Sequence, residues 1–121
     1  MLVIRRAEGL PFAGYWTPVS GRLEPGESQE HALVREVREE VGLVVRAGRK
    51  VWECPSSDGR FRLHWWSTHL EDAEREVVPD PREVSEFRWV EPAEFERLDR
   101  VFEADVRFFR EVFPALAQIG W

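Results

Sequence analysis

Apolar positions change their spacing several times along this chain, and each change marks an element. Leu2, Val3 and Ile4 form a short apolar run that predicts a strand. Residues 7–19 mix Gly, Pro and aromatic residues and predict a loop. Residues 20–27 predict a second loop, with turn chemistry at Pro25 and Gly26. Ser28 is the expected N-cap of a helix that runs to about Val41 and stops at Gly42. Val34, Val37 and Val41 give that helix an anchoring face. Residues 51–54 and 61–70 predict two strands, with a hairpin signal at Ser56, Ser57, Asp58 and Gly59 between them. Residues 87–90 predict a further strand, and Pro92 opens a short helix. Asp99 is the expected cap of a last helix, in which Phe102, Val106, Phe109 and Phe113 form a stripe that packs on the sheet. Strands and helices are mixed with hairpins, which predicts an α+β or α/β fold with a mixed β-sheet flanked by helices.

Composition narrows the function classes. A chain of 121 residues suits one domain, residues 1–121, with 43% hydrophobic and 33% charged residues in an ordinary globular mixture. Cys54 has no cysteine partner, so neither an internal disulfide nor a cysteine-based zinc cluster is expected. The opening apolar run is too short for a signal peptide, and no stretch approaches a membrane span. A cytoplasmic protein with no membrane partner is the expectation. The net charge of −6 argues against a nucleic-acid polymer as partner. A small phosphorylated molecule remains compatible if a divalent cation sits between it and the acidic protein.

The predicted helix carries such a cation-seeking pattern. Glu36, Glu39 and Glu40 fall within about 100° of one another on one face. Like charges so placed repel, and the helix gains nothing from them unless something positive neutralises the face. Hard cations such as Mg²⁺ take oxygen ligands, and Mn²⁺ is a workable substitute. His31 lies on another face, so zinc is a poor fit. Taken alone, a glutamate-rich face is also what a solvated surface looks like.

The wider pattern separates the two. From Gly21 the chain reads Gly, five residues, Glu27, seven residues, then Arg35-Glu36-Val37-Arg38-Glu39-Glu40-Val41-Gly42-Leu43. This resembles the Nudix box of the MutT-like Nudix hydrolases, with every fixed position filled. A chance match is on the order of one in 10⁸ per starting position.

The resemblance implies an α/β/α sandwich. It also implies an enzyme that attacks phosphorus with water in a nucleoside diphosphate linked to another group. It further implies Glu36, Glu39 and Glu40 as metal ligands, any of which is a candidate to activate water. Glu27 and Arg35 become a pair holding loop to helix, and a carbonyl of Ser20 or Gly21 a further ligand. Relatives often place another catalytic Glu shortly before a late Trp; Glu83, ahead of Trp89, is the candidate and Glu86 its rival. Arg5, Arg6 and Arg22 are the candidates for substrate phosphates. The alternative is a Nudix module that senses a nucleotide without cleaving it, but such modules commonly lose box glutamates that are all present here.

The sequence departs from the family in two places. Val19 and Ser20 stand where many members have Pro-Gly before the box glycine. The family also usually has a strand before residues 2–6, so the expectation is either a sheet one strand short or an edge covered by another element or by a second subunit in a homodimer. Asp58 and Gly59 stand where relatives acting on ADP-ribose or dinucleoside polyphosphates carry Pro or Tyr, and the chain has no Asn to read a base in the manner of MutT. The substrate class within the family is therefore open.

Overall fold

A computed structural model describes residues 1–56 and 58–118; Ser57, in the expected hairpin turn, lies outside the described residues. Its centre is β1 (Leu2–Arg6). Alternate residues of a strand point to opposite faces. Ile4 accordingly joins one buried cluster with Val37, Val41, Leu43, Val45 and Val84. Its neighbour Val3 joins another with Trp16, Val90 and Phe95. One strand therefore carries two cores, and helices cover both faces as an α/β/α sandwich requires.

Two strands flank β1. β2 (Trp16–Pro18) pairs antiparallel on one side, in the register Ile4 to Thr17. β5 (Val84–Trp89) pairs antiparallel on the other, in the register Ile4 to Phe87, with an irregularity between Arg5 and Arg6. The sequence places residues 16–18 in a loop. They become a strand because the chain folds back tightly: the Arg6 N–H donates to the Tyr15 carbonyl at 2.9 Å, and the Gly14 N–H to the Arg6 carbonyl at 2.9 Å. The same pairing covers the edge in question. β1 has neighbours on both sides within the chain, so its edges no longer point to a dimer. A parallel bridge from Trp16 to Val101 gives the otherwise antiparallel sheet its mixed character.

α1 (Gln29–Val41) follows its sequence signals closely. The Ser28 hydroxyl accepts from the His31 N–H, and Gly42 takes the left-handed conformation at φ 69° with its N–H returned to Arg38. A second, two-stranded sheet joins β3 (Val45–Pro55) and β4 (Arg62–Leu70). β3 starts well before the expected residue 51. Register shifts between Ala47, Lys50 and Trp52 break the alternation that would have revealed its first half.

The last helix departs further from expectation. α2 (Pro92–Phe95) opens at Pro92 as predicted, but α3 (Glu103–Arg107) is capped by Phe102 rather than Asp99. A turn of π-helix, Phe108–Val112, then leads into α4 (Phe113–Gln118). Pro114 has no N–H to return to the preceding turn, and the helix widens just ahead of it. The widening brings Phe108 inward beside Phe109. Phe108 stacks on Trp65 with centroids 4.0 Å apart and planes 15° apart, while Phe109 packs on Phe95 at 5.0 Å. Phe102 falls outside the helix and packs on Tyr15 at 4.7 Å. Among the described residues no helix is long and apolar enough to cross a membrane.

One carboxyl is buried where the pattern gives no warning. Asp105 is 5% exposed, and its Oδ2 accepts from the Thr17 hydroxyl at 3.3 Å. Burial pushes it up from 3.8 to about 7, with the Thr17 hydrogen bond opposing. The folded chain thus keeps a proton that the unfolded chain releases near the ordinary value. The stability linked to this group is full at acid pH below the unfolded value, falls as pH rises towards about 7, and is lost above it. Asp105→Asn keeps the shape and removes the ionisation. Its melting temperature should match the parent's at about pH 4 and exceed it by several degrees at about pH 8. Parallel melting curves for the two proteins across that range would refute the assignment.

Candidate active site

The loop before α1 has little regular backbone pairing, so side chains must fix it. Arg35 does most of this. Its Nε donates to Glu27 Oε2 at 2.7 Å and its Nη2 to Glu27 Oε1 at 2.8 Å, a two-point fork. Nη2 also donates to the Arg22 carbonyl at 3.0 Å. Nη1 donates to Glu36 Oε1 at 2.7 Å and Glu39 Oε2 at 3.1 Å. Glu27 is only 6% exposed at its side chain, and the Arg35 fork holds its carboxyl down at about 2 against the effect of burial. The expected pairing of Glu27 with Arg35 is therefore present.

Gly21 is required for a reason its spacing alone does not reveal. Its φ is not in the left-handed range. A Cβ added there would lie 2.0 Å from Glu36 Cδ. The Glu36 side chain crosses the bare backbone at Gly21, and any larger residue would drive the carboxyl away from Arg35.

The three helix glutamates sit in different surroundings. Glu39 is 59% exposed at its side chain. Glu36 is half-buried; desolvation raises its pKa, and the Arg35 hydrogen bond opposes the rise. Glu40 is buried, and its Oε2 has no hydrogen-bond partner among the described residues. Burial pushes its carboxyl up to about 8, with the charges of Glu36, Glu83 and Glu39 adding to the rise and Arg6 opposing it. The segment after β4 also packs against this end of the helix. The Val78 N–H donates to the Val41 carbonyl at 2.8 Å and the Asp80 N–H to the Glu40 carbonyl at 2.9 Å, closing over the end of α1. Helical periodicity groups Glu40 with Glu36 and Glu39 but carries no sign of a distant segment, so its burial is not legible in the sequence.

The structure separates the two late acids. Glu83 lies near enough to Glu36 and Glu40 to raise both. Glu86 turns to Arg5 at 3.6 Å and Arg88 at 3.4 Å. The candidate arginines also part company. Arg6 lies beside Glu40's field, with its Nε donating to the Pro11 carbonyl at 2.8 Å. Arg5 is on the Glu86 side, and the Arg22 guanidinium stacks over Phe61 at 4.9 Å. Trp66, unremarked in the sequence, donates from Nε1 to Gln29 Oε1 at 3.0 Å and joins β4 to the start of α1.

Among the described residues no three His, Cys, Asp or Glu side chains close around one point as a metal cage. Arg35 instead engages Glu36 and Glu39. The donor set nevertheless fits a hard divalent cation: all oxygen, crowded, short of positive charge, and with an orphaned buried oxygen on Glu40. Such a set can hold a cation and take a proton from water.

Comparison with known proteins places the chain in a family. The family model described as NUDIX domain matches residues 1–112. An RNA pyrophosphohydrolase of Erythrobacter litoralis is 30% identical over 146 residues, covering 97% of this chain and 85% of that protein. A NAD-capped RNA hydrolase NudC of Stutzerimonas stutzeri is 38% identical over 80 residues, but the match covers 63% of this chain and only 27% of that longer protein. The solution structure of the E. coli ORF135 protein superposes with a TM-score of 0.72 at 30% identity, covering 98% of this chain and 82% of that one. A MutT protein from Methanosarcina mazei shares the fold at a TM-score of 0.79 and 24% identity, covering 97% and 84%.

Arg35→Lys tests the clamp. Lysine keeps the charge but not the planar fork. The variant should melt several degrees lower than the parent, with proteolytic cutting appearing first in residues 20–27. Unchanged melting and an uncut loop would show that the fork does not hold the loop.

Proposed function

Because the chain belongs to the Nudix family and is one of its pyrophosphohydrolases, we propose that it hydrolyses a phosphoanhydride bond in a nucleoside diphosphate linked to another group, using Mg²⁺, or Mn²⁺ in its place. The observation that carries this reading is the orphaned Glu40 Oε2, buried in a ring of like charges from Glu36, Glu39 and Glu83. Burying an ionised carboxylate among like charges is costly, and a bound cation would offset that cost and keep the Glu40 carboxyl ionised.

Glu36, Glu39 and Glu40 would hold the cation, with a carbonyl of Ser20 or Gly21 as a further ligand. Bound there, it supplies charge stabilisation for phosphoryl oxygens and a more acidic water. The chain's own residues do the rest. Arg6 stands at the end of β1 to meet a phosphate, with Arg5 and Arg22 further out. A carboxylate of the cluster, Glu83 included, accepts the proton of the attacking water. The water oxygen bonds to phosphorus as the bridging P–O bond breaks, and the bridging oxygen leaves with the departing phosphate. Glu27 and Arg35 position the loop and the helix for this step.

The names of the relatives put RNA 5′ ends and NAD-type dinucleotides among the substrates to try. The acidic net charge favours small nucleotides instead. The test is phosphate release from a panel of nucleoside di- and triphosphates, dinucleotides and 5′-triphosphorylated RNA, with and without chelator. One substrate class should be cleaved, and chelator should abolish the cleavage. Glu39→Gln and Glu40→Gln should each lose activity by a factor of about 10² or more while remaining folded. Full activity in both variants would remove these residues from the site, and binding without cleavage across the panel would favour a nucleotide sensor.

A further inference from the structure

Residues 7–15 form a loop whose neck is closed at Arg6, the residue beside Glu40's field. The Arg6 N–H bonds the Tyr15 carbonyl, the Gly14 N–H bonds the Arg6 carbonyl, and the Ala7 N–H bonds the Glu83 carbonyl at 3.0 Å. The loop is thus laced to the end of the sheet where the carboxylates gather. At its tip Phe12 has φ 59°, the one non-glycine residue with positive φ among the described residues. A bulky side chain is disfavoured there, and strain of this kind gathers at functional sites.

The strain does not hide the ring. Phe12 is 54% exposed. Two aromatic residues stand behind it and hold it upright by edge contacts: Tyr15 at 5.5 Å and Phe102 at 5.1 Å, both at 74°. Beside them, guanidinium groups converge on Gly14. A Cβ added at Gly14 would lie 3.4 Å from Arg100 Nη1 and 3.8 Å from Arg5 Nη2. Arg5 has Glu86 as partner, while the exposed Arg100 side chain makes no ion pair or hydrogen bond among the described residues. An open, rigid aromatic face beside two cations, in an otherwise acidic protein, matches a planar base carried on phosphates.

We propose that Phe12, backed by Tyr15 and Phe102 and flanked by Arg5 and Arg100, is the platform on which the nucleobase of the substrate stacks, with its phosphates running past Arg6 towards the carboxylate cluster. The inference rests on the hydrolase reading only for where the phosphates go.

Two probes that resist cleavage at the bridging position separate the claims: α,β-methylene-ADP, which carries a base, and methylenediphosphonate, which does not. Each is titrated calorimetrically, with Mg²⁺, into the parent protein and into Phe12→Gly and Phe12→Trp. Glycine suits the positive φ, so the first variant keeps the loop while losing the ring. Phe12→Gly should weaken α,β-methylene-ADP about tenfold, in line with the loss of one base stack, and leave methylenediphosphonate unchanged. Phe12→Trp should restore nucleotide binding. Unchanged nucleotide binding in Phe12→Gly overturns the proposal, as does an equal loss for both probes or a parent protein that binds neither. If the predicted binding pattern appears but no substrate is cleaved, the hydrolase reading fails and the subsite stands. If substrate is cleaved but Phe12→Gly binds nucleotide as the parent does, the subsite fails and the hydrolase reading stands.

Discussion

One guanidinium organises the end of this molecule where the acids gather. Arg35 holds Glu27, Glu36, Glu39 and the Arg22 carbonyl at once. Arginine suits this role because its donors lie in one plane, never lose their charge, and reach several acceptors without bending. The loop of residues 20–27 has no strand to lean on, so its path follows from that single side chain. Its position in turn brings Gly21 under Glu36. The clamp also keeps two of the acids from repelling each other freely when no cation is near.

β1 links that end to the rest of the fold. Its alternation sends Ile4 into the core under α1 and Val3 into the core beneath α2 and α3. The irregularity at Arg5 and Arg6 comes where the strand leaves the core and its side chains become charged. A strand that is structural at one end and electrostatic at the other places its arginines with the rigidity of the sheet. Arg6 gains a fixed position beside the acids, and Arg5 is held against Glu86 on the other face.

Features set by neighbouring residues are legible in the sequence, and features set by distant ones are not. Ser28, Gly42 and the box glutamates mark α1 within a residue, because caps and helical faces are local chemistry. The resemblance to the Nudix box foretells the pairing of Glu27 and Arg35. The first half of β3 is hidden by its bulges, and β2 by the glycines and prolines around it. The stripe on the last helix is shifted by a π-turn whose trigger, Pro114, lies beyond it. The burial of Glu40 and of Asp105 is not legible, because contacts with distant parts of the chain leave no local signal. Glu83 is the candidate and Glu86 its rival in the sequence, and only the fold sends Glu83 towards Glu40 and Glu86 to Arg5 and Arg88.

The contact between Gly21 and Glu36 has a consequence for how such a chain can change over generations. The two positions cannot drift independently. A side chain at 21 collides with the carboxyl while Glu36 is long, so a viable path must shorten residue 36 first. Shortening it pulls the carboxyl back, as Asp, or removes it, before any new residue at 21 has been tried. Every two-step route therefore passes through a form with an impaired cluster, whichever replacement waits at the end. Selection for the site thereby also protects the glycine, and the order of permitted mutations is set by steric exclusion.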